Sequence, residues 1–69
     1  MKYLIVIEKA ISNYSAYSPD LPGCVATGRT RAQVLKKMRD AIQFHLDGLR
    51  EDAAKIPMPT STAEYVSVE

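Results

Sequence analysis

Few side chains in this sequence are of a type that could do chemistry. His45 is the only imidazole and Cys24 the only thiol, so a histidine base or a cysteine nucleophile would have to be one of these. On a helical wheel His45 falls in the centre of an apolar face, where a packed or hydrogen-bonded core histidine is the simpler reading. Cys24 has no basic neighbour in sequence to lower its pKa, and a small free cysteine packs well as a buried filler. The acids Glu8, Asp20, Asp40, Asp47, Glu51 and Asp52 could hold a divalent metal for phosphodiester cleavage. Three of them, Asp40, Asp47 and Glu51, fall on a polar helix face among Lys36, Lys37 and Arg50 and read as solvated, paired charges. Asp20 stands apart because it sits inside a Pro-Asp-Leu-Pro turn, where a carboxylate can satisfy backbone N–H groups or be presented for recognition.

The elements that would position these groups fit in one small domain, residues 1–69. A chain of 69 residues buries only about 60% of the surface its unfolded form exposes, so its core needs reinforcement. A lone cysteine excludes an intramolecular disulfide, and one Cys with one His falls short of a structural zinc site. Self-association is the expected staple. Nine Lys+Arg against eight Asp+Glu give a net charge of +1, without the basic footprint that autonomous nucleic-acid binding requires. The amino-terminal apolar run is too short for a signal peptide or a membrane span, so a cytoplasmic location is expected, where a reduced cysteine is ordinary.

Residues 3–7 are rich in β-branched and aromatic types and apolar on both faces, which predicts a strand central in its sheet. Asn13 supplies turn chemistry and residues 14–18 a returning strand. Pro19, Pro22 and Gly23 make the next stretch a stiff connection. Residues 24–27 form a third short strand ended by Gly28, completing an antiparallel meander. Thr30 with Gln33 fits a capping box, and the helix it opens places Val34, Leu35, Met38, Ala41, Ile42, His45, Leu46 and Leu49 on one face. Asp52 or Ala54 ends it, since Pro57 and Pro59 forbid continuation. Val66 and Val68 alternate with Tyr65 and Ser67, predicting a last strand over residues 64–68. The expectation is an α+β domain of order βββαβ, one amphipathic helix packed on the sheet.

Two apolar groups stand out as candidates for a partner. Phe44 falls among charged residues beside Gly48, and Leu21 is a rigid tip framed by two prolines, either tucked onto the sheet or presented outward.

Several of these residues together resemble one family. The run Tyr14-Ser15-Ala16-Tyr17-Ser18-Pro19-Asp20-Leu21-Pro22-Gly23-Cys24, then Gly28-Arg29-Thr30, the Ala41-Ile42 pair, Leu46, Leu49 and Ile56-Pro57-Met58-Pro59 are similar to the HicB antitoxins. The likeness covers nearly the whole chain. It implies a partial ribonuclease-H-like βββαβ fold and a non-enzymatic role as the protein antitoxin of a type II toxin–antitoxin pair. The implied partner is a HicA-like messenger-RNA interferase with a catalytic histidine, bound and sterically masked. Many HicB proteins carry a helix-turn-helix or ribbon-helix-helix segment after this domain. The sequence stops at Glu69 without one, so no direct DNA binding is expected without an additional domain. The glycine usual before Ile-Pro is here the stretch Ala53-Ala54-Lys55, and a glutamate usual after the threonine is Gln33.

On this reading no cofactor and no metal is expected. The expected toxin contacts are Tyr14, Tyr17, Pro19, Asp20, Leu21 and Pro22, with Phe44 on the helix, since rigid aromatic and proline-framed groups lose little entropy on binding. Tyr65, Val66 and Val68 on the last strand are the expected self-association residues. Two alternatives remain open. One is an orphan module of the same fold that binds another protein or a ligand. The other is a small metal-dependent nuclease, for which strand one offers only Glu8; a shared fold does not carry the chemistry.

Overall fold

The computed structural model describes residues 1–69 and contains three strands and one helix in the order β1 (Val6–Lys9), β2 (Tyr14–Tyr17), β3 (Val25–Gly28) and α1 (Arg31–Glu51). The strands form an antiparallel sheet in the order β1-β2-β3, so the α+β meander with its helix follows the expectation. Two details differ. β1 lies at an edge, and β2 takes the centre. Residues 64–68 form no strand.

Both differences have a physical origin. The apolar run around β1 is two-faced: Tyr3, Ile5 and Ile7 pack against the core, while Leu4 and Val6, outside that core, line a groove together with Ile5 and Ile7. A strand apolar on both faces therefore marks an edge still exposed, not a centre already filled. Residues 64–68 have the alternation of a strand but form no ladder, and Tyr65, Val66 and Val68 are all exposed. Alternation selects a face only when one side is covered.

The core is small: Ala16, Leu21, Cys24, Val34, Met38 and Leu46, ringed by half-buried Tyr3, Ile5, Ile7, Tyr14, Ala26, Ile42, Leu49 and Ile56. The helix meets it as the wheel predicts. Thr30 caps it, its Oγ1 accepting from the Gln33 N–H at 3.0 Å, while Gln33 Oε1 accepts from the Arg29 N–H at 2.8 Å, one residue before the cap itself. Gly28 permits the close approach of β3 to α1, because a Cβ there would lie 2.9 Å from the Val34 backbone nitrogen. Lys37 leaves the acids on its own face and donates to the Thr27 carbonyl at 3.0 Å.

The helix closes with the bond pattern of a Schellman motif. The Ala53 N–H donates to the Arg50 carbonyl at 3.1 Å and the Ala54 N–H to the Leu49 carbonyl at 2.8 Å. Ala53 adopts φ +54° to do so, a conformation glycine takes without strain. Beyond it, the Pro57 carbonyl accepts from the Tyr3 hydroxyl at 2.6 Å, tying the returning segment to the start of the chain. No helix is long and apolar enough to cross a membrane.

Candidate functional site

The connection from β2 to β3 is two successive β-turns, each with proline at its second position. The Leu21 N–H donates to the Ser18 carbonyl at 3.2 Å, and the Cys24 N–H to the Leu21 carbonyl at 3.1 Å. Gly23 supplies the φ of +88° that the second turn needs. Ser18 is buried, and its hydroxyl donates to the Leu4 carbonyl at 3.0 Å, fastening the loop to the chain before β1.

This double turn directs Leu21 inward. Leu21 is 0% exposed and belongs to the core, so of its two readings the inward one holds, and its side chain is not open for the toxin contact expected of it. The prolines on either side, Pro19 and Pro22, are exposed and form the visible rim. The stiff loop is thus a device for plugging the core with a leucine.

Asp20 points away from the core and grips a distant part of the chain. Its Oδ2 accepts from the Thr60 N–H at 3.2 Å and the Ser61 N–H at 3.1 Å. Its Oδ1 accepts from the Thr60 hydroxyl at 3.1 Å and the Ser61 hydroxyl at 2.9 Å. These four bonds fill the acceptor sites of the carboxylate. The Ser61 N–H does most to hold the carboxyl below its usual range; partial desolvation opposes this, and the two hydroxyls and the Thr60 N–H add to it. Asp20 is a clamp between loop and tail, and no signal in the sequence paired it with Thr60-Ser61, forty positions away.

The remaining chemistry-bearing groups stay apart. Glu8, Asp40, Asp47, Glu51 and Asp52 form no cluster of three with each other or with His45 and Cys24. Lys36 pairs with Asp40 and Arg50 with Asp47, both at 3.3 Å on the exposed helix face. Cys24 is buried, and burial pushes its thiol up, away from the thiolate a nucleophile needs. His45 is half-buried.

An apolar strip does come together, on the sheet face opposite α1. Register places Val6 beside Tyr17 and Tyr17 beside Val25, so three side chains line up across all three strands. Their neighbours in sequence, Ile7, Ala16 and Ala26, face the core. Val25 is 67% exposed and Tyr17 is also exposed. Glu8, Ser15 and Thr27 make the next row, so the face is apolar at its loop end and polar at the other. Of the expected contact residues, Tyr17, Pro19 and Pro22 lie at this loop end. Tyr14 is half-buried on the core side, and Phe44, 81% exposed, is on the outer face of the helix, across the domain. The sequence does not show that Val6 and Val25 lie on this strip, because a short strand does not reveal which side is covered until its neighbours are known.

The chain matches the family of HicB-like antitoxins of bacterial toxin–antitoxin systems over residues 3–69. It is 34% identical over 67 residues, 97% of its length, to a 14.9 kDa protein of Haemophilus phage HP1, covering 50% of that protein. It is 33% identical over 69 residues to a UPF0150 protein of Thermoplasma acidophilum, covering 99% of this chain and 97% of that one. An antitoxin HicB 2 of Photorhabdus laumondii shares 30% identity over 64 residues, 93% of this chain and 46% of that protein. The chain therefore spans about half the length of the phage and Photorhabdus relatives and nearly all of the archaeal one. Among solved structures, a chain of a HicA3 and HicB3 toxin–antitoxin complex superposes with a TM-score of 0.71 at 30% identity, over 87% of this chain and 70% of that one.

Proposed function

Because the chain belongs to the HicB-like antitoxin family, we propose that it neutralises a HicA-like ribonuclease toxin by covering the toxin's RNA-cleaving surface with the Val6–Tyr17–Val25 strip. The observation that carries this reading is an apolar row left open on the uncovered side of the sheet, rimmed by the rigid prolines Pro19 and Pro22. A tyrosine at the centre of such a row, flanked by β-branched side chains on a hydrogen-bonded sheet, loses little freedom on binding, as interface anchors do. The similarity to a chain solved within a HicA–HicB complex supports the choice of partner class. The role is binding and occlusion, with no reaction on this chain, in a cytoplasmic setting.

Phe44 lies outside this surface. A partner large enough to wrap the edge of the domain would reach it, so it serves as the internal comparison: substitution at Tyr17 weakens the complex more than substitution at Phe44.

The test is co-expression with the small protein encoded beside this one, affinity capture, and an RNA-cleavage assay on the captured complex. A stable complex that leaves RNA intact, formed with a neighbour that cleaves RNA alone, supports the proposal. Absence of a complex, or a complex that still cleaves, overturns it and leaves a fold module with another partner.

A further inference from the structure

The segment after the helix is fastened at three places in quick succession. Ile56 packs against the core, the Pro57 carbonyl accepts from the Tyr3 hydroxyl at 2.6 Å, and Thr60 and Ser61 give four hydrogen bonds to Asp20. Pro57 and Pro59 stiffen the span between these points, and both are half-buried. The last fastening holds a loop instead of the core. Asp20 lies between Pro19 and Leu21 in the double turn that leads from Tyr17 to Val25. Its bonds are exposed or only partly buried, where hydrogen bonds add modestly to stability. What they fix is the position of the loop.

We infer that residues 56–61 are a brace for the toxin-binding surface, in which Asp20, Thr60 and Ser61 act as positioning residues that hold the Pro19–Pro22 rim in its binding conformation without touching the toxin. The inference rests on the binding role proposed for the Val6–Tyr17–Val25 strip, and it replaces the direct toxin contact that the sequence suggests for Asp20. Two observations carry it. The acceptor sites of the carboxylate are filled from within the chain, so a toxin cation reaches Asp20 only by displacing bonds already made. The loop is also tied to the strip's own strand, because the Ser18 hydroxyl donates to the carbonyl of Leu4, two residues before Val6. Rim and strip therefore share one framework, and the brace is its third support. A rim held in the bound conformation raises affinity by raising the fraction of chains competent to bind. A loop released for about nine-tenths of the time weakens apparent binding about tenfold. The loss falls on association, since the complex once formed keeps the same contacts.

The test measures association and dissociation rates of the purified HicA-like toxin with variants of the full chain shown to be folded by circular dichroism. Asp20→Ala removes every acceptor and is expected to slow association about tenfold with dissociation unchanged. Thr60→Val with Ser61→Ala removes only the two hydroxyl bonds and is expected to slow it about threefold. The chain carrying all three substitutions is no slower than Asp20→Ala, and Thr60→Ser with Ser61→Thr, which keeps every donor, binds as wild type. Hydrogen exchange on the chain alone is the second readout: the Leu21 and Cys24 amides, the donors of the two turns, exchange faster by similar factors in the same variants. Wild-type rates in Asp20→Ala overturn the inference. A loss confined to faster dissociation, or one that multiplies with that of Thr60→Val and Ser61→Ala, makes Asp20 a direct contact and overturns it too. Unchanged exchange at Leu21 and Cys24 overturns the brace even if affinity falls. Wild-type chain that binds no toxin, with those amides loosened in the variants, supports the brace and overturns the antitoxin reading.

Discussion

The strain at the end of α1 is open to a quantitative test. Ala53 holds φ +54° because its N–H and that of Ala54 close the helix onto Arg50 and Leu49. A side chain in this left-handed conformation costs roughly 1–2 kcal/mol through its Cβ. Glycine removes that cost but restores about 0.5–1 kcal/mol of unfolded-state entropy. Ala53→Gly is therefore expected to stabilise the domain by about 0.5–1 kcal/mol, which for a domain of this size raises Tm by about 2–8 °C. Two controls bracket the effect. Ala54→Gly, one residue beyond the left-handed position, leaves Tm unchanged or lowers it, and Ala53→Val lowers it. Thermal unfolding followed by circular dichroism at fixed protein concentration reads all three. A fall in Tm for Ala53→Gly would refute the reasoning, because it would mean that the helix does not end in the left-handed turn.

Leu21→Ala removes a fully buried side chain and should cost about 2–5 kcal/mol, close to the whole stability of so small a domain; urea unfolding should show loss of most of the folded baseline, and a change below about 0.5 kcal/mol would contradict the core position. Gly28→Ala forces a Cβ against the Val34 backbone and should destabilise by more than about 1 kcal/mol in the same assay. Asp20 has a folded-state pKa below its unfolded one, so its contribution is complete above the unfolded pKa and is lost as pH falls through the folded pKa; hydrogen exchange at Thr60 and Ser61 should rise on acidification below the ordinary carboxylate range, and Asp20→Asn should show fast exchange there already at neutral pH. Tyr17→Ala should weaken the toxin complex by about 2 kcal/mol, some thirty-fold, while Phe44→Ala changes affinity less; titration calorimetry reads both.

The sequence makes some of this architecture readable and hides the rest for identifiable reasons. The helix, with its threonine cap and apolar stripe, is legible because its signals are local: Thr30 and Gln33 are three residues apart, and the stripe repeats over 21 residues. The double turn is legible from Pro19, Pro22 and Gly23, but the direction of Leu21 is not, since proline-framed loops can point a side chain inward or outward. Asp20 is visible as an acid in an unusual place, yet its partners lie forty positions away and leave no mark nearby. The order of the strands is the least legible feature. The apolar character of residues 3–7 signals contact on two sides without saying whether the second contact lies within the chain. The Ala53 turn occupies the position where the HicB resemblance leads one to expect glycine, and the positive φ there is the structural counterpart of that departure.

The most direct test of the central claim is a titration of the purified HicA-like toxin with this chain, read by RNA cleavage. Wild-type chain should abolish cleavage near one equivalent. Val25→Lys, a substitution at an exposed position of a sheet that stays folded, should raise the amount needed by at least about tenfold, the equivalent of 1.4 kcal/mol. Undiminished cleavage with wild-type chain, or equal inhibition by the folded Val25→Lys variant, would contradict the account.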